Sequence, residues 1–158
     1  MVKPSQGIHL VLDRSFLQSE DAMMIPKTED GRVLFAVPWH NKIVVGTTDT
    51  PLDEHSLEPV ALEEEVQFIL RTAGKYLVRG PRREDVLSVY AGLRPLAAPK
   101  TENARTKEIS RRHKLIGSPS GMITRIGGKG STYRKMGEDT VNQAIRAASL
   151  PLQNCITR

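Results

Sequence analysis

Two kinds of hydrophobic pattern occur along the chain. Ile8-His9-Leu10-Val11-Leu12 is a short, nearly continuous apolar run of strand length. A polar stretch with Asp13, Arg14, Ser19, Glu20 and Asp21 follows, and Ala22-Met23-Met24-Ile25-Pro26 restores the apolar character. Thr28-Glu29-Asp30-Gly31 then carries the Asp-Gly hairpin signal, so Arg32 to Val37 is predicted to pair back on the preceding run. Pro38-Trp39-His40-Asn41 reads as a second turn and Lys42 to Gly46 as a third strand. Connections this short exclude parallel pairing, which needs a crossover of about a dozen residues, so the three form an antiparallel meander.

The period changes near residue 61. Leu62, Val66, Ile69, Leu70, Ala73 and Leu77 recur at spacings of three and four, one face of a helix over 61–77. Glu63, Glu64 and Glu65 open it, Arg71 and Lys75 close it, as the helix dipole favours, and Gly80-Pro81 ends it. Asp85 to Leu93 reads as a strand and Leu96 to Arg105 as a polar loop around Pro99. Lys107 to Ile116 and Met122 to Ile126 are two further strands, joined by the turn Ser118-Pro119-Ser120-Gly121. A second helix is predicted over 132–148, with Tyr133, Met136, Val141, Ile145 and Ala148 on one stripe. Strands are grouped rather than alternating with helices. This predicts an α+β fold, helices on an antiparallel or mixed sheet, and excludes a doubly wound one.

Composition narrows the class. The 158 residues suit one domain or one and a half, and 39% hydrophobic with 26% charged residues is ordinary globular usage. The single cysteine, Cys155, has no partner for an intramolecular disulfide, which excludes a small secreted scaffold. His9, His40, His55 and His113 are scattered, without zinc-ligand spacing. No window approaches the roughly 20 apolar residues of a membrane helix, and no signal peptide opens the chain, so a cytoplasmic location is expected. The net charge of +5 comes from the part after residue 78, while the first seventy residues are acidic on balance. With only one Trp, three Tyr and three Phe to stack on bases, a basic pocket for a small phosphorylated ligand explains that asymmetry better than nucleic acid.

Several segments could carry chemistry. Ile126-Gly127-Gly128-Lys129-Gly130-Ser131 lies between a predicted strand and a helix; such glycines admit a ligand to the backbone, and helix-opening amides favour an anion. Lys129 would add a point charge and Ser131 an N-cap. Neither a Walker A nor a dinucleotide fingerprint fits: Ile123 and Gly130 break the first, Tyr133 the second. A glycine-rich turn with a solvated lysine is the plainer alternative. Arg94, between apolar neighbours in Ala91-Gly92-Leu93-Arg94-Pro95-Leu96, and Arg111 are either anion ligands or surface ion-pair partners. Gly46-Thr47-Thr48-Asp49-Thr50-Pro51 is a polar rim or a set of capped turns, and His9 a base or a hydrogen-bonded core histidine.

Five segments in order resemble one family. Residues 2–17 (VKPSQGIHLVLDRSFL), 30–51 (DGRVLFAVPWHNKIVVGTTDTP), 85–96 (DVLSVYAGLRPL), 106–116 (TKEISRRHKLI) and 120–141 (SGMITRIGGKGSTYRKMGEDTV) are similar to the FAD-dependent glycerol-3-phosphate dehydrogenases and the related glycerophosphate oxidases. The chain departs from the family in having Gly130 where a bulky residue is usual, and Arg125 where a small or apolar one is.

The resemblance implies an oxidoreductase of glycerol metabolism. Such a flavoprotein transfers a hydride from C2 of sn-glycerol 3-phosphate to flavin N5, giving dihydroxyacetone phosphate, with quinone as acceptor, or oxygen in the oxidases. It implies Arg94 and Arg111 as phosphate ligands, whose planar forks suit that anion, and Lys129 at the flavin–substrate junction. His9 is then the candidate base, with Lys129 competing for that role. Gly127, Gly128, Ser131 and Thr132 would lie along the flavin ring. By the same resemblance residues 1–118 form a substrate-binding domain, and 119–158 a strand and helix returning to an FAD domain whose pyrophosphate-binding Rossmann segment this sequence lacks. Expectations follow: the chain alone is inactive and retains no FAD, it needs that missing segment as a partner, and 120–158 self-associates or is poorly ordered. The complete enzyme would sit peripherally at the inner face of a membrane. The other readings are an amine- or hydroxy-acid-oxidising flavoprotein, or a non-enzymatic phosphate or nucleic-acid binding module.

Overall fold

The computed structural model describes residues 2–26, 28, 29, 31–52, 54, 56–97 and 112–157. Arg111 and His55, two residues singled out above, lie outside the described residues. Contacts divide the chain into two compact units, Ser5–Leu93 and Met1–Pro4 with Arg94–Arg158.

The first unit is built on a sheet. Its strands are β1 (Val2–Asp13), β2 (Met23–Ile25), β3 (Leu34–Trp39), β4 (Lys42–Gly46), β5 (Thr50–Pro51) and β6 (Ser88–Ala97), the outer ends of β1 and β6 falling in the second unit, and among the described residues it has one α-helix, α1 (Glu63–Ala73). The order is β2-β3-β4-β1-β5, and β6 also pairs with β1. The meander is antiparallel as expected, β2 on β3 and β3 on β4. Its first turn closes through Gly31 N donating to Thr28 O at 3.0 Å, with Gly31 at φ +79°, a conformation that favours glycine.

Strand alternation sorts the side chains onto two faces. Ile8, Leu10 and Leu12 of β1, Leu34 and Ala36 of β3, and Ile43 and Val45 of β4 are fully buried on one. Val66, Ile69, Leu70 and Ala73 of α1 join them in one core, each large aliphatic side chain contributing about 1.5–3 kcal/mol by leaving water.

Boundaries depart from the sequence pattern where polar groups do the pairing. β1 begins six residues earlier than the apolar run, because Ser5 and Gln6 pair with Pro51 and Thr50. Between the His9–Gly46 pair and the Gln6–Thr50 pair, the β4–β5 side holds one residue more than β1, a bulge. There Thr48 Oγ1 accepts from Ile8 N at 3.1 Å in place of a ladder carbonyl. Pro38 lies inside β3 rather than in a turn, paired with Ile43 beyond the reach of β2. The helix stops at Ala73, with Gly74 as C-cap, although Leu77 remains buried.

In the second unit, β7 (Lys114–Gly117) and β8 (Ile123–Ile126) form a hairpin, and α2 (Tyr133–Ala147) follows. Of the expected α2 stripe only Met136 is buried; Tyr133 and Val141 are exposed, because the tail residues 153–157 run beside that face, held by Arg134 donating to Thr157 O at 3.1 Å, and leave a cavity along it. Arg125 fits here because β8 exposes it; its guanidinium donates to Gly127 O at 3.1 Å. No helix among the described residues is long and apolar enough to cross a membrane.

Candidate active site

The sheet face opposite α1 carries a cavity of about 520 Å³. Register places its lining in rows across β1, β4 and β3: His9 beside Gly46 beside Phe35, then Val11 beside Val44 beside Val37. Trp39, Thr47 and Tyr90 complete it. Aromatic rings and valines make the walls largely apolar, with His9, Thr47 and Tyr90 the polar groups on them, the composition of a small-molecule site.

His9 is one of the polar groups on this face. Its imidazole stacks on the Tyr90 ring, centroids 5.2 Å apart and planes 10° from parallel. Across β4 the same ring lies over Gly46, where an added Cβ would stand 2.3 Å from His9 Cδ2. Odd positions of β1 point to the cavity and even ones to the core, so His9 is on the cavity side of the sheet.

The Gly46–Pro51 segment divides. Gly46 and Thr47 line the cavity, whereas Thr48 and Thr50 turn to the buried carboxylate of Glu65. Thr48 Oγ1 donates to Oε1 at 2.7 Å, Thr50 Oγ1 to Oε1 at 2.6 Å, and Gln6 Nε2 to Oε2 at 2.7 Å. Leu62 N donates to Oε2 at 3.0 Å, half of a capping box. Burial alone would raise the Glu65 pKa, but the hydrogen bonds from Thr50, Thr48, Leu62 and Gln6 outweigh it and hold the carboxyl below its ordinary value. This group is structural: it ties the first turn of α1 to β1 and to the bulge beside the cavity.

The remaining described candidates lie in the second unit. Arg94 stands half-buried in β6. Gly127 and Gly128 have φ +72° and +92°. A Cβ on Gly128 would stand 2.1 Å from Met136 Sδ, and one on Gly127 3.0 Å from Arg112 O, so both are required by local packing. Gly128→Ala is expected to loosen this unit, read as lost hydrogen-exchange protection in α2 while the 5–93 unit keeps its own; equal protection in the variant would refute the packing account. Gly130 is different: among the described residues nothing stands within 4 Å of a Cβ there, leaving its backbone open to a ligand. Lys129 and Ser131 are exposed. Ser131 is not the N-cap expected; Thr132 occupies that position and uses its hydroxyl on Lys129 O at 3.0 Å. His113 Nε2 and Asp139 Oδ2 meet at 2.9 Å and brace the loop against α2.

A buried N3 glutamate, a strand glycine beneath a histidine, and an aromatic partner on the adjacent strand β6 were not singled out from the sequence. The available signals were the glycine ending β4 and the parity of Tyr90, opposite to the core-packed Val89 and Ala91.

Comparison with known proteins settles the family. The FAD dependent oxidoreductase model matches residues 1–131. The chain belongs to the FAD-dependent oxidoreductase family. It is 43% identical over its whole length to the mitochondrial glycerol-3-phosphate dehydrogenase of Arabidopsis thaliana, covering 25% of that protein. To that of Bos taurus it is 44% identical, over 94% of the chain and 20% of the relative. Among solved structures, the glycerol-3-phosphate dehydrogenase from Bacillus halodurans complexed with FAD is similar with TM-score 0.77 and 33% identity, over 96% of this chain and 28% of that one. The chain thus spans about a quarter of the length of the relatives it matches.

Proposed function

We propose that this chain supplies part of an FAD-dependent glycerol-3-phosphate dehydrogenase. The observation carrying the reading is its 40–44% identity, across nearly all of its residues, to proteins of that name in plant, fungus and mammal. The cavity face supports it with a histidine on apolar walls, and the 127–132 turn with an open glycine backbone and exposed Lys129 before α2. These residues fit FAD at its ring side: Gly130 admits a flat ligand to the backbone, and the amides opening α2 favour negative charge. When bound, FAD would accept the hydride released from substrate C2.

Each residue of the chain has its own task in this reading. His9 takes the C2 hydroxyl proton. Arg94 and Arg111 bind the substrate phosphate bidentately. Lys129 stabilises charge that develops at the reacting oxygen, and Gly127, Gly128, Ser131 and Thr132 line the flavin ring. Residues 1–118 then serve substrate binding and 119–158 return to the FAD domain. Quinone is the proposed acceptor, with the oxygen-using oxidases as the alternative. Self-association belongs to the reading too, supported by exposed Tyr133, Val141, Leu150, Leu152 and Ile156; light scattering showing a monomer would remove it. The relatives are named mitochondrial, so the expected cytoplasmic location gains no support from them.

The deciding experiment uses an enzyme of the relatives' full length carrying this sequence. Mixed anaerobically with glycerol 3-phosphate, it should bleach its flavin and yield dihydroxyacetone phosphate. Bleaching by an amine or a 2-hydroxy acid instead would move the enzyme to another branch of the family. The 158-residue chain alone is expected to purify with far less than about one flavin per chain, because the pyrophosphate loop supplies most of the nucleotide grip. A yellow preparation near stoichiometry would contradict that.

A further inference from the structure

The imidazole of His9 is held from two sides, on two different strands. On β4, Gly46 is its register partner, and the missing side chain leaves the space that the Cγ–Cδ2–Nε2 side of the ring fills. Any larger residue there would expel the imidazole, since even a methyl would stand 2.3, 2.7 and 2.9 Å from those three atoms. On β6, which also pairs with β1, Tyr90 presents its ring face to the imidazole at 5.2 Å and 10°. A histidine side chain turns about two bonds. One wall formed by backbone and a second formed by a parallel ring leave it one plane. Both walls also border the cavity, so the ring plane they fix is the one shown to a bound molecule.

We infer that Tyr90 and Gly46 form a clamp setting the plane of the His9 imidazole in the cavity, with Tyr90 a positioning residue that acts through its ring face. The inference deepens the proposed function and rests on it only for the catalytic consequence; the clamp itself is a property of this chain. The ring of Tyr90, not its hydroxyl, is what the geometry uses, so phenylalanine should replace it and leucine should not. Misorienting a reacting group by about an ångström costs up to about 100-fold in rate, so Tyr90→Leu should lower kcat by roughly 10- to 100-fold with little change in KM. Tyr90→Phe should stay within about twofold.

Nuclear magnetic resonance of the full 158-residue chain tests the clamp without reference to activity. Through-space contacts between His9 and Tyr90 ring protons are expected in the unsubstituted chain. The His9 ring protons should also move downfield in Tyr90→Leu and stay in place in Tyr90→Phe, because stacking shields them. Absent contacts, or His9 signals indifferent to Tyr90→Leu, would overturn the clamp, and the first of these needs no variant to fold. The kinetic arm uses the full-length enzyme. Equal losses in Tyr90→Phe and Tyr90→Leu would assign the effect to the hydroxyl and overturn the positioning role. If the contacts are present while His9→Asn retains full kcat, the clamp stands and the reading of His9 as base fails.

Discussion

Replacing Glu65 with alanine is expected to destabilise the 5–93 unit by about 3 kcal/mol, because four donors then lose their acceptor in a buried setting. Thr48, Thr50, Gln6 and Leu62 N all converge on its two oxygens, and Glu65 is only 5% exposed. For a unit of about 90 residues the loss corresponds to a fall in Tm of roughly 12–24 °C. Glu65→Gln should cost less, about 1–2 kcal/mol, since one oxygen survives while the new amide group faces donors rather than acceptors. Chemical denaturation followed at pH 7 measures both. A Glu65→Ala variant within about 0.5 kcal/mol of the parent would show that water replaces the carboxylate without cost.

The same carboxylate makes stability depend on pH in a definite direction. Burial opposes its ionisation, but the hydrogen bonds from Thr50, Thr48, Leu62 and Gln6 prevail, so the folded pKa lies below the ordinary 4.5. A depressed folded pKa means that the unfolded chain binds the proton more readily. The contribution is therefore complete above about pH 4.5 and is lost as pH falls through the folded value. Glu65→Gln removes this titration. The gap in stability between parent and Glu65→Gln should accordingly narrow between pH 6 and pH 3, and an unchanged gap would refute the assignment.

Much of the frame was legible because its signals were local. The Asp30-Gly31 signal gave the first hairpin, and a run of branched residues ending in Gly46 gave β4 to the residue. Spacing at three and four gave α1, whose buried Val66, Ile69 and Leu70 face the sheet. What escaped depends on partners distant in sequence. Ser5 and Gln6 extend β1 only because Thr50 and Pro51 come alongside, forty-four residues away or more, and the first turn of a helix takes up the side chain of Gln6. Glu65 looked like one of three equivalent acids serving the helix dipole; only tertiary placement distinguishes it from Glu63 and Glu64, which stay exposed. His9 posed the same problem. A continuous apolar run cannot reveal that its odd positions face a cavity, and the decisive neighbours, Gly46 and Tyr90, lie on strands read separately.

In an enzyme of the relatives' full length carrying this sequence, Arg94→Ala and Arg111→Ala are each expected to lower kcat/KM for glycerol 3-phosphate by about 30- to 1000-fold. The loss corresponds to roughly 2–4 kcal/mol of charge-assisted hydrogen bonding to the phosphate in a partly dry pocket. With glycerol, which has no phosphate, the same variants should change little. Lys129→Ala should behave differently. Its proposed partner is charge that appears only in the transition state, so it should slow flavin reduction at saturating substrate, for phosphorylated and plain alcohols alike. The exposed position of Lys129 beside the open backbone of Gly130 leaves its ammonium available for that role. Stopped-flow reduction of each variant with both alcohols separates the two behaviours. If Arg94→Ala lost as much rate with glycerol as with glycerol 3-phosphate, Arg94 would not be a phosphate ligand, and its role would lie in the reaction of both alcohols or in the fold.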